Sequence, residues 1–258
     1  MDVFTLHRGT APLLISLPHD GIALPEDLAI RMTPQARGVP DTDWFVGRLY
    51  DFARQLGASL LVPVYSRYVV DLNRPPDDLS LYPGQNTTGL CPLQRFTGEP
   101  IYLPGQAPSS AEVADRVERY WRPYHDALGA ELARLRSLHG RALLWEGHSI
   151  RSTLPFLFEG RLPDLNLGTV AGTSCAPAMQ GRLEAVLSAQ SEYSWVANGR
   201  FKGGYITRHH GRPAEGVDAV QLELAQSTYM DEATGRYDAS LSQRLQGLVG
   251  SLLKAALA

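Results

Sequence analysis

The chain has 258 residues, with 24 Lys and Arg against 27 Asp and Glu, and so a formal charge of −3. This balance excludes the clustered basic excess of a nucleic-acid binder, and no apolar run approaches the roughly 20 residues needed to span a bilayer. With 44% hydrophobic and 20% charged residues, the composition suits one large α/β domain or two smaller ones. The first residues show no basic segment leading into an apolar one, and Cys91 and Cys175 form no metal-type pair. A reduced, cytoplasmic protein is the expectation.

In chain order, residues 12–17 read as a buried strand, an apolar run of Leu13, Leu14, Ile15 and Leu17 ended by Pro18. Residues 42–57 predict an amphipathic helix whose stripe is Phe45, Leu49, Phe52, Ala53 and Leu56, capped by Asp41 or Thr42 and stopped by Gly57. Residues 59–64 and 68–72 are strand-like. Residues 73–110 are dense in Pro, Gly, Asn and Thr, a loop excursion long enough to be either a lid or a peripheral decoration. Ser109 opens a helix with a capping-box spacing to Glu112, and Pro123 is placed to kink or split it. Residues 142–145, 205–209 and 219–224 read as strands, residues 176–189 and the C-terminal leucine-rich stretch as helices. Such alternation predicts an α/β fold with a mostly parallel sheet flanked by helices, whose ligands gather beyond the carboxyl ends of the strands.

Several polar residues fall at those ends. His19 follows the first buried strand, His148 follows Trp145, Glu223 lies in the late strand, and Asp43 falls in the first turn of the first helix, where the dipole favours a carboxylate. Two imidazoles and a carboxylate with one open position form a usual catalytic zinc shell, and a further carboxylate can serve as general base. By residue type alone the pattern is open, because no HExxH or CxxC pair is present. A cationic set, Arg67, Arg74, Arg151 and Arg208, offers bidentate forks for a small dicarboxylate, or equally a group of ordinary ion pairs. Residues 66–74, polar at both ends of a β-rich stretch, suggest a strand delivering ligands into a site. His209 and His210, on a strand, would face opposite ways. Cys175 reads as buried packing, and Gly147-His148-Ser149-Ile150-Arg151 begins like a serine nucleophile elbow but lacks its last glycine.

The blocks Leu17-Pro18-His19-Asp20-Gly21, Pro40-Asp41-Thr42-Asp43-Trp44 and Gly147-His148-Ser149-Ile150-Arg151-Ser152 point further, together with residues 66–75, 121–125, 162–169, 198–209 and 221–230. In this order the chain resembles the N-formylglutamate deformylase (N-formylglutamate amidohydrolase) family over nearly its whole length. Phe45, Glu146, Gly147 and Tyr205 depart from the residues usual in that pattern. The resemblance implies one catalytic domain over residues 1–258, similar in fold to zinc-dependent amidases and exopeptidases. It implies metal ligation by His19, Asp43 and His148, with Asp41 as a rival to Asp43, and Glu223 as the catalytic carboxylate. Arg67, Asn73, Arg74 and Arg208 are the candidates for binding a small dicarboxylate. The implied reaction is hydrolysis of N-formyl-L-glutamate, closing a histidine degradation route, with Zn²⁺ or alternatively Co²⁺, Fe²⁺ or Mn²⁺. Rival readings are a sister hydrolase of another N-acyl amino acid and a non-catalytic binder of acidic metabolites. Neither nucleic acid nor membrane is expected as a partner, and the sequence leaves the oligomeric state open.

Overall fold

The computed structural model describes residues 2–80 and 87–258. Its strands are β1 (Phe4–His7), β2 (Leu13–Ser16), β3 (Ser59–Pro63), β4 (Ala142–Ile150), β5 (Leu165–Gly168), β6 (Trp195–Ala197), β7 (Val217–Ala225), β8 (Met230–Asp231) and β9 (Arg236–Tyr237). The helices are α1 (Glu26–Ala29), α2 (Val46–Tyr50), α3 (Ser110–Arg116), α4 (Arg122–His139), α5 (Pro177–Ser188), α6 (Tyr205–His210) and α7 (Ala239–Leu257). β1 to β7 form one sheet in the order β1-β3-β2-β4-β7-β5-β6. β1 pairs antiparallel with β3 and β5 with β7, while β3–β2, β2–β4, β4–β7 and β5–β6 are parallel. The mixed, mostly parallel α/β sheet expected from the sequence is therefore present.

Side chains alternate across the pleat, and each face is covered. Leu13, Ile15, Leu143, Trp145 and Leu222 pack on one side with residues of α2, α5 and α7. Leu14, Leu61, Leu144 and Ala219 pack on the other with Tyr124, Leu128, Leu132 and Leu135 of α4. Three adjacent parallel strands, β2, β4 and β7, end at one edge of the core, and the polar residues collect there.

Local chemistry explains the elements that matched and those that did not. Ser109 caps α3, its Oγ accepting the Glu112 N–H at 3.3 Å, and a five-residue π-helical stretch, Val117–Trp121, precedes Pro123 in the first turn of α4. The helix expected over residues 42–57 begins later, at Val46, because Phe45 takes a left-handed conformation (φ 63°). It tightens into a 3₁₀ stretch, Asp51–Leu56, and stops at Gly57 (φ 75°) as expected. Asp43 therefore precedes the helix instead of sitting in its first turn.

Residues 68–72 are not a strand. Their backbone closes turns, with Val69 N–H bonding Ser66 and Asp71 N–H bonding Leu90. Residues 205–209, also expected as a strand, form α6. Its first-turn amides bond side chains, Ile206 N–H to Asn73 Oδ1 at 2.9 Å and Thr207 N–H to Glu146 Oε2 at 3.0 Å. These tertiary bonds override the β propensity of Tyr-Ile-Thr. β4 runs past Trp145 to Ile150, so His148 lies within a strand and not after one. Part of the excursion over residues 73–110, namely residues 81–86, lies outside the described residues. No helix among the described residues is long and apolar enough to cross a membrane.

Candidate active site

Each strand end delivers its polar residues by the two-residue period of the pleat. Glu146 and His148 share one face of β4, Gln221 and Glu223 one face of β7, and His148 stands directly opposite Glu223 in register. Gly147, between the first pair, is required by packing. A Cβ there would lie 2.7 Å from Leu17 Cδ2 and 2.9 Å from the Tyr50 ring. His19 comes from the turn after β2, and Asp43 from the turn before α2, where its N–H bonds the His19 carbonyl at 3.1 Å. The side chains of His19, Asp43 and His148 are all buried and bring one ligand atom each to within 4.8 Å of one another.

The hydrogen bonds orient this group. His19 Nε2 lies 2.7 Å from Asp71 Oδ1, and His148 Nε2 lies 2.6 Å from Glu146 Oε1. With a carboxylate facing each Nε2, the Nδ1 atoms are turned toward Asp43 Oδ2 at 3.7 Å and 2.9 Å respectively. The pattern is that of metal-ligating histidines, whose second nitrogen is normally fixed by a carboxylate behind it. Two nitrogens and a carboxylate oxygen suit a divalent transition metal, zinc among them. The donor set thus fits the ion that the sequence suggested.

Further carboxylates and amides hold the ring edges. Asp71 Oδ2 accepts from Arg67 Nη2 at 2.6 Å, and Glu146 accepts from the Thr207 hydroxyl. The Asn73 amide, anchored by the Ile206 N–H, sits 3.1 Å from His148 Nε2. Asp43 Oδ2 also accepts the Ser149 N–H at 3.1 Å.

The electrostatics follow from this geometry. Burial alone would raise the Asp43 carboxyl, but His19 and His148 outweigh it and hold its pKa below the usual carboxylate range. Burial would lower His148, yet its bonds to Asp43 and Glu146 hold its pKa well above the ordinary imidazole value. Burial opposes ionisation of Asp71 too, and His19, Arg67 and Arg74 together pull it well below. Glu223 behaves in the opposite way. Desolvation pushes it up to about 8, with Asp43 adding and His148 opposing. One acid is thus kept charged and another kept basic, a contrast common at acid–base sites.

These residues line a cavity with about 740 Å³ of free space, its open mouth included. His19, Asp43, Arg67, Asn73, Arg74, His148 and Glu223 are all on its wall. Other expected residues fall elsewhere. Arg208 is not on the wall; it lies in the last turn of α6 with Nε bonded to the Gly203 carbonyl at 2.8 Å. Arg151 is exposed and bonds the Glu232 carbonyl. Asp41 turns away from the two histidines, accepting from Tyr68 Oη at 2.6 Å and the Phe96 N–H at 2.8 Å. Ser149 sits within β4 with its Oγ bonded to Tyr229 Oη at 2.6 Å, which is not a nucleophile elbow. Cys91 and Cys175 are buried free thiols whose pKa burial pushes up to about 11. Phe45 packs on Tyr237 and Tyr205 stacks on His209, both away from the cavity wall. Sequence reasoning passed over Glu146, Asp71, Gln221 and Arg200 as site residues. The i, i+2 spacings Glu146–His148 and Gln221–Glu223 were the available signal for two of them.

Fold and site define an α/β protein with a metal-competent polar centre at the carboxyl ends of adjacent parallel strands. The model of the N-formylglutamate amidohydrolase family matches residues 11–230. The chain belongs to that family of amide-hydrolysing enzymes. It is 54% identical to N-formylglutamate deformylase of Pseudomonas aeruginosa over 100% of this chain and 97% of that protein. Its identity to the enzyme of that name from Pseudomonas putida is 53%, over 99% and 96%. Among solved structures, N-formylglutamate amidohydrolase from Ralstonia eutropha superposes with a TM-score of 0.83 at 27% identity, covering 99% of this chain and 98% of that one. A gene product of Agrobacterium tumefaciens shares the fold at a TM-score of 0.71 and 17% identity, over 98% and 96%.

Proposed function

We propose that this chain hydrolyses the formamide of N-formyl-L-glutamate to formate and L-glutamate, as a cytoplasmic enzyme closing a histidine degradation route. The observation that carries the reading is the shared cavity, in which the buried His19–Asp43–His148 group, Glu223 and cationic side chains meet. The 54% identity to an N-formylglutamate deformylase supports the choice of substrate. The whole chain acts as one catalytic domain, and the excursion at 73–110 contributes Thr87, Thr88 and Phe96 to the cavity wall.

His19, Asp43 and His148 would hold a divalent ion, zinc foremost, and the chemistry it would supply there is Lewis-acid polarisation of the formyl oxygen and a lowered pKa for water, from 15.7 toward about 7. Glu223 accepts the proton of the attacking water. Gln221 Nε2 lies 3.3 Å from Glu223 Oε2, which leaves Oε1 to take that proton. Burial raises the Glu223 carboxyl above the ordinary carboxylate value, which strengthens it as an acceptor of the proton that it then returns to the departing amine. Asp71 and Glu146 keep the two imidazoles turned, and Arg67 keeps Asp71 ionised. Asn73, beside His148, and Arg74, next to it on the cavity wall and through a single N–H instead of a fork, take a carboxylate near the scissile bond.

The test is formate release from N-formylglutamate by metal-loaded protein, abolished by a chelator and restored by added zinc. N-acetylglutamate and N-formimidoylglutamate are assayed alongside. A stoichiometrically loaded protein that released no formate would overturn the reading.

A further inference from the structure

Three arginines among the described residues line the cavity, and they are not equivalent. Arg67 is committed to acids, with Nη2 2.6 Å from Asp71 Oδ2 and Nη1 3.7 Å from Asp43 Oδ1. Arg74 donates through Nε and Nη2 to Thr88 at 2.7 and 3.2 Å, and through Nη1 to the Asn73 carbonyl at 3.1 Å. Arg67 already has its charge met by two buried carboxylates, and Arg74 is bonded through all three of its nitrogens, so neither offers a carboxylate a fork free of partners. Arg200 differs. It meets no acid and no hydrogen-bond acceptor among the described residues, and its guanidinium sits 5.3 and 5.9 Å from the Phe158 and Phe201 ring centroids. It is half-buried, and that burial draws its pKa down with no carboxylate to lift it. A desolvated cation with its whole fork open and two aromatic rings setting its plane is preorganised for a planar anion.

Topology says which anion. Arg74 follows Asn73, whose amide nitrogen lies 3.1 Å from His148 Nε2, so it stands beside the His/Asp/His group. Arg200 follows β6 at the sheet edge, separated from β4 by β7 and β5. At a spacing of about 4.8 Å per strand, β6 runs some 14 Å from β4, and Arg200 reaches into the cavity from that far side. In an N-formylated glutamate the α-carboxylate is two bonds from the amide nitrogen, and the side-chain carboxylate is four.

We infer that Arg200 binds the side-chain carboxylate of the substrate and sets the preference for glutamate over its neutral analogues, an assignment that rests on the substrate reading above. With a neutral side-chain amide in place, the half-buried fork loses its anionic partner, which penalises glutamine analogues.

The experiment compares kcat/KM for N-formylglutamate, N-formylglutamine and the α-amide N-formylisoglutamine in the parent, Arg200→Met and Arg200→Lys. The parent is expected to prefer glutamate to glutamine by about 100-fold or more, and Arg200→Met to shrink that ratio to within about tenfold, mainly through KM. Arg200→Lys, which keeps the charge and loses the fork, falls between the two. Calorimetry of L-glutamate and L-glutamine binding to the zinc-loaded proteins reads the same contact without turnover. An Arg200→Met protein that keeps the parent's ratio overturns the assignment. So does one that loses both substrates equally, or one that loses discrimination against the α-amide instead. A parent that binds glutamate through Arg200 yet releases no formate would sink the hydrolytic reading and leave the contact standing.

Discussion

His148 shows how one side chain is set by several segments. Its Nδ1 faces Asp43, its Nε2 faces Glu146 and the Asn73 amide, and Asn73 and Glu146 are each held by the first turn of α6. Glu223 lies opposite in register and outside the His19–Asp43–His148 group. Replacing Glu223 by Gln keeps the shape and removes the carboxylate that we propose as the base. We expect turnover to drop by about 10²- to 10⁴-fold while metal content, measured by elemental analysis, stays at the parent level. Near-normal turnover would remove Glu223 from its role. These residues were partly legible in the sequence. His19, Asp43, His148 and Glu223 stood out by type and block order, whereas Arg200 did not. Only the folded cavity distinguishes it from Arg208, because whether a guanidinium is already occupied is a property of its neighbours and not of its own position in the chain.

At the scale of the element, β4 is where strand formation and chemistry compete. Ala142 to Trp145 reads as a strand from its apolar run, but Glu146, Gly147, His148 and Ser149 interrupt the pattern although all are buried in the same strand. Their polar groups are satisfied by Thr207, Asp43 and Tyr229, so burial is tolerated. Gly147 is the narrowest point. Gly147→Ala would drive a methyl into Leu17 and Tyr50, and we expect a loss of about 1–3 kcal/mol in urea unfolding. Unchanged stability would mean that the strand shifts at no cost. α6 carries the complementary lesson. Tyr205 to His209 looks like a strand by composition, and two tertiary hydrogen bonds from its first turn to Asn73 and Glu146 make it a helix.

Two expectations belong to the whole molecule. His19, Asp43 and His148 come from distant parts of the chain, so an ion bound by them stabilises only the folded state. Zinc at about 100 times its Kd should add about 2.7 kcal/mol and raise the melting temperature, and a His19→Ala, His148→Ala protein should lose that shift. The second concerns acid. Burial, more than any neighbour, lowers His125 and His210 to about 3 from 6.5. Unfolded imidazoles take up protons that the folded ones refuse, so this contribution to stability is intact above about pH 6.5 and is lost as pH falls toward 3. The His210 ring lies nearly parallel to that of His125, with its buried Nε2 unbonded. His210→Phe should therefore reduce the loss between pH 7 and 5 by about 1–2 kcal/mol relative to the parent, read from paired urea titrations. An unaltered difference would show that His210 titrates normally.

From the sequence alone came the α/β architecture, the main helices, the family and the four residues at the centre. Hydrophobic period and the order of motifs are local along the chain and survive without a fold. The tertiary structure decided that Asp43 and not Asp41 faces the histidines, that residues 205–209 coil into a helix, and that Arg200 replaces Arg208 on the cavity wall. Each of these depends on which groups meet across the sheet, and such encounters are fixed by packing and hydrogen-bond satisfaction between segments far apart in the chain.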